Sequence, residues 1–201
     1  PLMTVRAPVV EAQFIETYIL MMINHQSLIA TKASRITRAA KGRAVSEFGS
    51  RRAHGPWAAT YGAKAAIIAG CSATSNILTG ALYDYGSTGT MAHSYVTSFG
   101  CSVKGEYKAF DTYIKTHKGE PLILLIDTYD TLRCGIRNAI KAFKANGIGN
   151  SYAPGFGIRL DSGDLAYLSM ECRQVLDEYG LNACKIFATN SLDEYLITDL
   201  E

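Results

Sequence analysis

Hydrophobic and polar positions follow two different patterns along the chain. From Glu11 to about Ala40 the apolar residues recur at helical spacing, which predicts one long helix. Apolar side chains surround the middle of this helix, so we expect it to be buried on several sides. His25 lies within it and is expected to make a structural contact in a core or an interface.

A second pattern begins at Ala44, where short apolar or β-prone segments end in polar residues and are usually followed by a helical pattern. Their spacing of roughly thirty residues is typical of βαβ units and predicts a parallel sheet or barrel. A barrel is favoured, because it gathers the polar residues at the ends of its strands around one site. The six predicted strands are Ala44–Phe48, Cys71–Thr74, Tyr85–Thr90, Leu122–Ile126, Gly155–Leu160 and Lys185–Ala188.

The fold class expected from this pattern is α/β, with an irregular (β/α) barrel that is incomplete in this chain. Residues 1–201 are expected to form the central portion of one barrel domain. Within it, residues 1–40 form a connecting strand and the long helix, and residues 44–201 form about six β/α units. Neither end of the chain resembles a natural terminus. We therefore expect a piece of a longer protein that lacks the last barrel units.

Composition narrows the possible functions. Of the 201 residues 48% are hydrophobic and 19% are charged, which is typical of a globular chain and excludes intrinsic disorder. The net charge of +2 and the scattered basic residues predict no binding to nucleic acid or to a membrane surface. No apolar run in the sequence, Leu122–Ile126 included, is long enough for a bilayer. Five dispersed cysteines without a C-x-x-C motif argue against disulfides and zinc, and favour a cytoplasmic location.

Polar residues at the predicted strand ends are the candidate functional groups. They combine anion-binding side chains with carboxylates, which suits a substrate with anionic groups and a sugar diol, with magnesium as a candidate ion. The set is Glu47, Arg51, Arg52, Thr74, Asn76, Thr90, His93, Asp127, Asp130, Arg159, Asp161, Asp164 and Asn190.

The most informative local motif is RLDSGD, over residues 159–164. Strand alternation places Arg159 and Asp161 on the same side of the strand, and a serine-glycine turn then begins a helix. The free backbone amides of Ser162 and Gly163 at that helix start form a candidate anion site. The alternative is an ordinary helix cap formed by Asp161 or Ser162.

His93 follows a predicted strand on a glycine-containing turn. It is a candidate general base or phosphoryl-accepting nucleophile, with a surface or capping histidine as the alternative. Asp127 follows a wholly apolar strand and is expected to orient His93 or to bind magnesium, whereas Asp130 is expected to cap the next helix. Of the adjacent Arg51 and Arg52, only one can face a pocket if the backbone is extended there.

Considered together, these motifs resemble the nicotinate phosphoribosyltransferase family, the type II phosphoribosyltransferases of NAD salvage. The resemblance covers nearly the whole chain in the expected order. EFGSRR, GTMAHS, DTYDT and RLDSGD are specific in combination, whereas each motif alone would be a weak signal.

The resemblance implies a two-domain, homodimeric enzyme with its active site at the subunit interface. The larger domain would be the barrel, and the N-terminal domain would lie outside this chain. The implied reaction converts nicotinate and phosphoribosyl pyrophosphate into nicotinate mononucleotide and pyrophosphate, with coupled hydrolysis of ATP and with Mg²⁺.

The resemblance also implies site residues. His93 matches the histidine that ATP phosphorylates, and Asp127 and Asp161 match acidic residues beside that histidine and the ribose; these three are the predicted catalytic residues. Thr90 and Arg159 match residues that hold nicotinate. Arg51 matches an arginine of the nucleotide pocket. With polar groups from other strand ends, the complete set of predicted substrate-binding residues is Arg51, Thr74, Thr90, Arg159, Ser162, Gly163 and Asn190. The metal ligands are not predicted.

Three alternatives stay open at this point. A relative that uses nicotinamide would share most of these motifs. A truncated, non-catalytic paralogue would act through dimerisation. A barrel glycoside hydrolase would use Glu47 with Asp127 or Asp161 as its pair of carboxylates, although the arginines of the candidate site argue against a neutral sugar.

Overall fold

The structure is a computed structural model that describes residues 2–200. Its helices within that range are, in chain order, α1 (Val9–Ala39), α2 (Pro56–Ile68), α3 (Ile77–Tyr83), α4 (His93–Ser98), α5 (Val103–Thr116), α6 (Ile136–Ala145), α7 (Leu165–Glu178) and α8 (Glu194–Asp199). Its strands are β1 (Ser46–Glu47), β2 (Ala73–Thr74), β3 (Leu122–Leu125), β4 (Phe156–Leu160) and β5 (Lys185–Ala188). A 3₁₀ turn spans Ser50–Arg52, and a π-helical turn spans Thr131–Gly135.

These elements form two compact units. The first unit contains residues 2–89 and Asp193–Asp199, and the second contains Thr90–Leu192 and Leu200. In the first unit β1 pairs in parallel with β2, and in the second β3, β4 and β5 form a parallel sheet in that order. The predicted α/β class with parallel sheets is confirmed. Neither of the two sheets is closed, and the barrel stays a prediction. Within residues 2–200 no helix is long and apolar enough to cross a membrane.

The long first helix is confirmed, but its predicted burial is wrong for the N-terminal half. The C-terminal half packs on α2, where Ala33 and Ala66 share a small apolar cluster. His25 Nε2 lies 3.0 Å from the carbonyl oxygen of Ala58, which is the kind of structural contact expected of it. Phe14, by contrast, is 86% exposed. Helical spacing predicts where apolar side chains lie around a helix, but it does not determine what packs against them.

The strands predicted in the first unit also need correction. The segment Tyr85–Thr90 contributes a single parallel bridge, between Thr74 and Ser87, rather than a strand. Its two glycines, Gly86 and Gly89, provide no side chains to pack on a sheet, which explains the difference. The connecting strand expected within residues 1–40 is not found in residues 2–40, and β1 and β2 are only two residues long.

The second unit contains the larger hydrophobic core. Strand residues Leu124 and Ile158 are completely buried, and helices α5, α6 and α7 cover the sheet with side chains that include Phe110, Phe143 and Leu176. Burial of one such side chain contributes about 1.5 to 3 kcal/mol. Helix α5 was not predicted from the sequence. The packed layer holds the three strands in place and thereby fixes the positions of their C-terminal ends.

A close backbone contact joins the π-helical turn to the end of β3. A Cβ atom at Gly135 would lie 1.8 Å from the carbonyl oxygen of Ile126, so this position requires glycine. The turn begins at Asp130, whose Oδ1 accepts backbone N–H bonds of 2.8 and 3.1 Å, and the predicted capping role is therefore confirmed. Both contacts restrain the loop that follows β3 and contains Asp127.

Candidate active site

The strand ends of the second unit bring polar side chains together. Asp127 follows β3, Arg159 and Asp161 lie at the end of β4, and Thr189 follows β5 directly. These three strands are parallel and paired in register, so their C-terminal ends meet along one edge of the sheet. That edge is the usual position of a ligand site in a parallel α/β sheet.

Asp127 is the centre of a hydrogen-bond network. Its side chain is only 2% exposed, and its Oδ1 lies 3.1 Å from Nε2 of His93. Its Oδ2 accepts hydrogen bonds from the Asp161 backbone N–H at 2.8 Å and from the Ser162 hydroxyl at 2.6 Å. A buried carboxylate with both oxygens engaged has a fixed orientation. Of the two roles expected for Asp127, this geometry supports the orientation of His93.

His93 is the first residue of α4, and its side chain is 43% exposed. An ionised carboxylate only accepts hydrogen bonds, so the ring nitrogen facing Asp127, Nε2, is the one that bears the proton. The lone pair of the neutral ring is therefore on Nδ1. Such a ring can act as a nucleophile or as a base at Nδ1.

Arg159 is held by hydrogen bonds on three sides, and its side chain is 13% exposed. Its Nε donates to the Thr189 hydroxyl at 2.9 Å, and its Nη1 donates to the Thr90 hydroxyl at 2.7 Å and the Met91 carbonyl at 3.2 Å. Its Nη2 donates to Asp161 Oδ1 at 2.7 Å. A guanidinium has five N–H donors, so one N–H on Nη2 has no partner within residues 2–200.

The Asp161 carboxylate is the partner of that guanidinium. Burial by itself would raise the pKa of Asp161, but the hydrogen bonds from Thr189 and Arg159, with the positive charge of Arg159, outweigh burial and lower the pKa below its usual value. Asp161 therefore stays ionised at neutral pH. Its Oδ2 has no hydrogen-bond partner in the described part of the chain.

Ser162 and Gly163 lie between this network and α7. The helix is capped by Asp164, whose Oδ1 accepts the backbone N–H of Tyr167 at 3.0 Å, so a cap formed by Asp161 or Ser162 is wrong. Gly163 adopts a φ of +79°, which favours glycine. Both residues are exposed, and their backbone N–H groups have no partner within residues 2–200. They remain the predicted anion site.

Thr74, in the first unit, is fully buried and belongs to a second network. Its hydroxyl donates to Glu47 Oε2 at 2.7 Å and accepts the Asn76 backbone N–H at 2.9 Å. The Asn76 side chain in turn donates to the Ser50 hydroxyl at 3.1 Å. These hydrogen bonds fix the turn that contains Arg51. The hydroxyl of Thr74 is therefore already hydrogen-bonded to other groups of the protein.

Arg51 and Arg52 lie in the 3₁₀ turn, and both are exposed. The backbone is therefore not extended, and the argument that only one of them can face a pocket does not apply. Gly49 precedes the turn, and its backbone N–H donates a hydrogen bond to Oε1 of Glu47. A Cβ at Gly49 would lie 2.8 Å from that oxygen. The glycine of EFGSRR thus permits the carboxylate of the same motif to hold the turn.

The strand-end residue that sequence reasoning missed is Thr189. The neighbouring Asn190, which the sequence predicts as a site residue, is exposed, with a φ of +74°. Thr189 bonds to both Arg159 and Asp161. The parallel register, which is a tertiary property, was the signal that could have identified it.

Among residues 2–200, no group of three or more His, Cys, Asp or Glu side chains is arranged to hold a metal ion.

A buried aspartate lies behind a half-exposed histidine, with an arginine–aspartate pair beside it at the edge of a parallel sheet, an arrangement whose charges suit anionic groups. The chain matches no protein-family model. It is 48% identical over 201 residues to nicotinate phosphoribosyltransferase of Bacillus subtilis (strain 168), a match that covers 100% of this chain and 39% of that protein.

Two solved structures extend the comparison. Human nicotinic acid phosphoribosyltransferase matches with a TM-score of 0.83 and 26% identity, over 96% of this chain and 48% of that one. Nicotinate-nucleotide pyrophosphorylase from Pyrococcus furiosus matches with a TM-score of 0.71 and 33% identity, over 87% and 43%. The resemblance to nicotinate phosphoribosyltransferases is confirmed, and this chain spans less than half the length of these relatives.

Proposed function

We propose that the protein containing this chain is a nicotinate phosphoribosyltransferase. It joins nicotinate to phosphoribosyl pyrophosphate to give nicotinate mononucleotide and pyrophosphate. The observation that carries the proposal is the Asp127 network, in which hydrogen bonds join a half-exposed histidine to the segment containing the Arg159–Asp161 pair. The 48% identity to a protein of that name supports it.

The nicotinate carboxylate is bound by Arg159. The N–H on Nη2 that has no partner within residues 2–200 donates a charge-assisted hydrogen bond to it, and Thr90 holds the opposite side of the guanidinium in place. Nicotinamide lacks the negative charge that makes this bond strong, so this contact favours nicotinate. Arg51, Thr74 and Asn190 stay predicted substrate-binding residues.

The transfer step takes place at C1 of the ribose. The bond from C1 to the pyrophosphate oxygen breaks, the pyridine nitrogen forms the new bond to C1, and positive charge develops on the ribose in between. The ionised Asp161 stabilises that charge. The backbone N–H groups of Ser162 and Gly163 donate hydrogen bonds to phosphate oxygens at the start of the 14-residue helix α7.

Magnesium is expected to bind together with the diphosphate. The residues present fit such an ion, because Mg²⁺ usually takes one or two protein carboxylates and completes its shell with phosphates and water. Asp161 Oδ2 is the site oxygen without a hydrogen-bond partner within residues 2–200. An ion bound there would neutralise charge on the leaving pyrophosphate.

ATP is coupled through His93. Nδ1 attacks the γ-phosphorus, the bond to the bridging oxygen breaks, and ADP leaves with that electron pair, while the proton on Nε2 stays hydrogen-bonded to Asp127. A general-base role is less suitable, because the pyridine nitrogen of nicotinate is already nucleophilic and loses no proton.

The proposal also includes location and assembly: the complete protein is cytoplasmic and forms a homodimer with its active site at the subunit interface.

A product assay on the complete protein tests the function. The protein is incubated with phosphoribosyl pyrophosphate, Mg²⁺ and either nicotinate or nicotinamide, with and without ATP, and the nucleotides are identified by mass spectrometry. We expect nicotinate mononucleotide, formed faster with ATP. Asp161→Asn should remove most of this activity, whereas Asp111→Asn, at a half-buried position on α5, should not. Preference for nicotinamide would favour the nicotinamide-using relative, and no product from either would favour the non-catalytic paralogue.

A further inference from the structure

Thr189 lies in the site directly after β5 and contacts neither substrate in the proposed function. Its backbone N–H donates to the carbonyl oxygen of Leu160 at 2.9 Å, which continues the pairing of β4 and β5 by one residue. Parallel pairing places its side chain beside that of Asp161, on the face of the sheet from which Arg159 also projects.

The Thr189 hydroxyl connects the two charged groups of the site. Its oxygen accepts the Nε–H of Arg159 at 2.9 Å, and its proton is donated to Oδ1 of Asp161. The carbonyl oxygen of Leu160 is also near, at 3.2 Å, but an ionised carboxylate is the stronger acceptor. The hydroxyl thus bonds to guanidinium and carboxylate at the same time.

This position changes the geometry of the ion pair. Arginine and carboxylate groups frequently pair through two parallel N–H···O bonds, for example from Nε and Nη2. Here Nε is occupied by Thr189, and the pair has one direct hydrogen bond, from Nη2 to Oδ1 at 2.7 Å. As a result one N–H on Nη2 and the Oδ2 atom of Asp161 both have no hydrogen-bond partner within residues 2–200.

We propose that Thr189 is a positioning residue of the transfer site: its hydroxyl prevents Arg159 and Asp161 from closing into a two-bond ion pair, and so keeps one donor for the nicotinate carboxylate and one carboxylate oxygen for the ribose side. This inference rests on the proposed function and adds a residue to it. Thr189 contacts neither substrate in the proposal and acts through its two neighbours.

The test uses three substitutions in the complete protein. Thr189→Val and Thr189→Ala remove the hydroxyl, and Thr189→Ser retains it. Thr112→Val, at a half-buried position on α5, is the matched control. We expect the nicotinate KM to rise and kcat to fall, each by about tenfold, in the valine and alanine variants. Thr189→Ser and Thr112→Val should stay near the wild type, and thermal unfolding should show all four variants folded.

A crystal structure of Thr189→Val provides the second readout, in which Asp161 should contact both Nε and Nη2 of Arg159. Unchanged kinetics in the valine and alanine variants, or equal losses in Thr189→Ser, would overturn the role of Thr189 while leaving the proposed function intact. Absence of turnover in the wild type would overturn the proposed function instead. The crystal structure of Thr189→Val still tests the role of Thr189 in that case. If Arg159 and Asp161 are joined by a single hydrogen bond in it, the Thr189 hydroxyl does not control their pairing.

Discussion

His93 Nε2 lies 3.1 Å from Asp127 Oδ1, yet the histidine side chain is 43% exposed and the aspartate side chain 2%. The pair therefore spans the boundary between the protein interior and the solvent. A buried acceptor fixes which nitrogen carries the proton, and the exposed edge of the ring keeps the other nitrogen accessible. This arrangement makes the coupling step directly testable.

Substitution of His93 should separate ATP hydrolysis from nucleotide synthesis. His93→Ala removes the nitrogen that accepts the phosphoryl group, so nicotinate-dependent ATP hydrolysis should be lost while some ATP-independent synthesis remains. Incubation of the wild type with γ-labelled ATP should give an acid-labile, base-stable label at this residue. His117→Gln, at the end of α5, is the control and should retain the label. A labelled His93→Ala variant, or ATP coupling that survives in it, would contradict the phosphohistidine role.

Replacement of Arg159 should weaken the binding of nicotinate. Arg159→Ala removes the cation paired with the substrate carboxylate, and loss of such a partner typically costs about 2 to 5 kcal/mol, so the nicotinate KM should rise strongly. Steady-state kinetics with nicotinate as the varied substrate measures the effect. Arg137→Ala, an exposed arginine on α6, is the matched control. An unchanged KM in Arg159→Ala would transfer the carboxylate role to another residue, with Arg51 as the first candidate.

Glu106 should make the stability of the protein depend on pH. Its side chain is fully buried in the second unit, Oε2 accepts a hydrogen bond from Asn138 at 2.8 Å, and Oε1 has no hydrogen-bond partner within residues 2–200. Burial raises the pKa of Glu106 above its ordinary value of 4.5, despite that hydrogen bond. The folded protein therefore retains a proton that the unfolded chain releases as the pH rises.

The difference in the pKa of Glu106 between the folded and unfolded states determines how the free energy of unfolding changes with pH. The contribution of Glu106 to the free energy of unfolding is full below pH 4.5 and decreases as the pH rises to the higher pKa of the folded state. Glu106→Gln cannot titrate, so its stability relative to the wild type should increase over that interval. Urea unfolding at a series of pH values measures it, with exposed Glu120→Gln as the control. A constant difference between Glu106→Gln and the wild type at all pH values would contradict the prediction.

Gly135→Ala should destabilise the second unit. The added Cβ would meet the Ile126 carbonyl oxygen at 1.8 Å, and because both atoms belong to backbone, the turn and the strand end must separate. We expect a loss of about 3 kcal/mol in the free energy of unfolding. Gly149→Ala is the control, since nothing lies within 4 Å of its Cβ position. Equal stability of the two variants in denaturant titrations would show that the contact can relax without cost.

Several parts of the structure could be predicted from the sequence because they depend on local patterns. The long helix α1 and the buried strand β3 follow from the periodicity and runs of apolar residues, and Asp130 was correctly identified as a cap. Helix α5 was missed although it is amphipathic, with Phe110 and Ile114 on its buried face. Its pattern was present in the sequence and was not recognised.

The candidate site shows where local patterns are insufficient. The RLDSGD and GTMAHS motifs contain Arg159, Asp161 and His93, and hydrogen bonds join these residues through Asp127 and Asp161. The motifs did not indicate Thr189, because its neighbours Arg159 and Asp161 are roughly thirty residues away in the sequence and are brought close only by parallel strand pairing.

The amino-acid sequence by itself determined the α/β class, the long helix and the motifs that resemble nicotinate phosphoribosyltransferases, since each depends on residues close together in the chain. Only the tertiary structure decided that Asp127 bonds His93 through Nε2, that Asp164 rather than Asp161 caps α7, and that Thr189 bonds to both Arg159 and Asp161. Those are choices among competing hydrogen-bond partners. They depend on distances of a few tenths of an ångström that strand register and core packing fix, and residue type alone does not specify them.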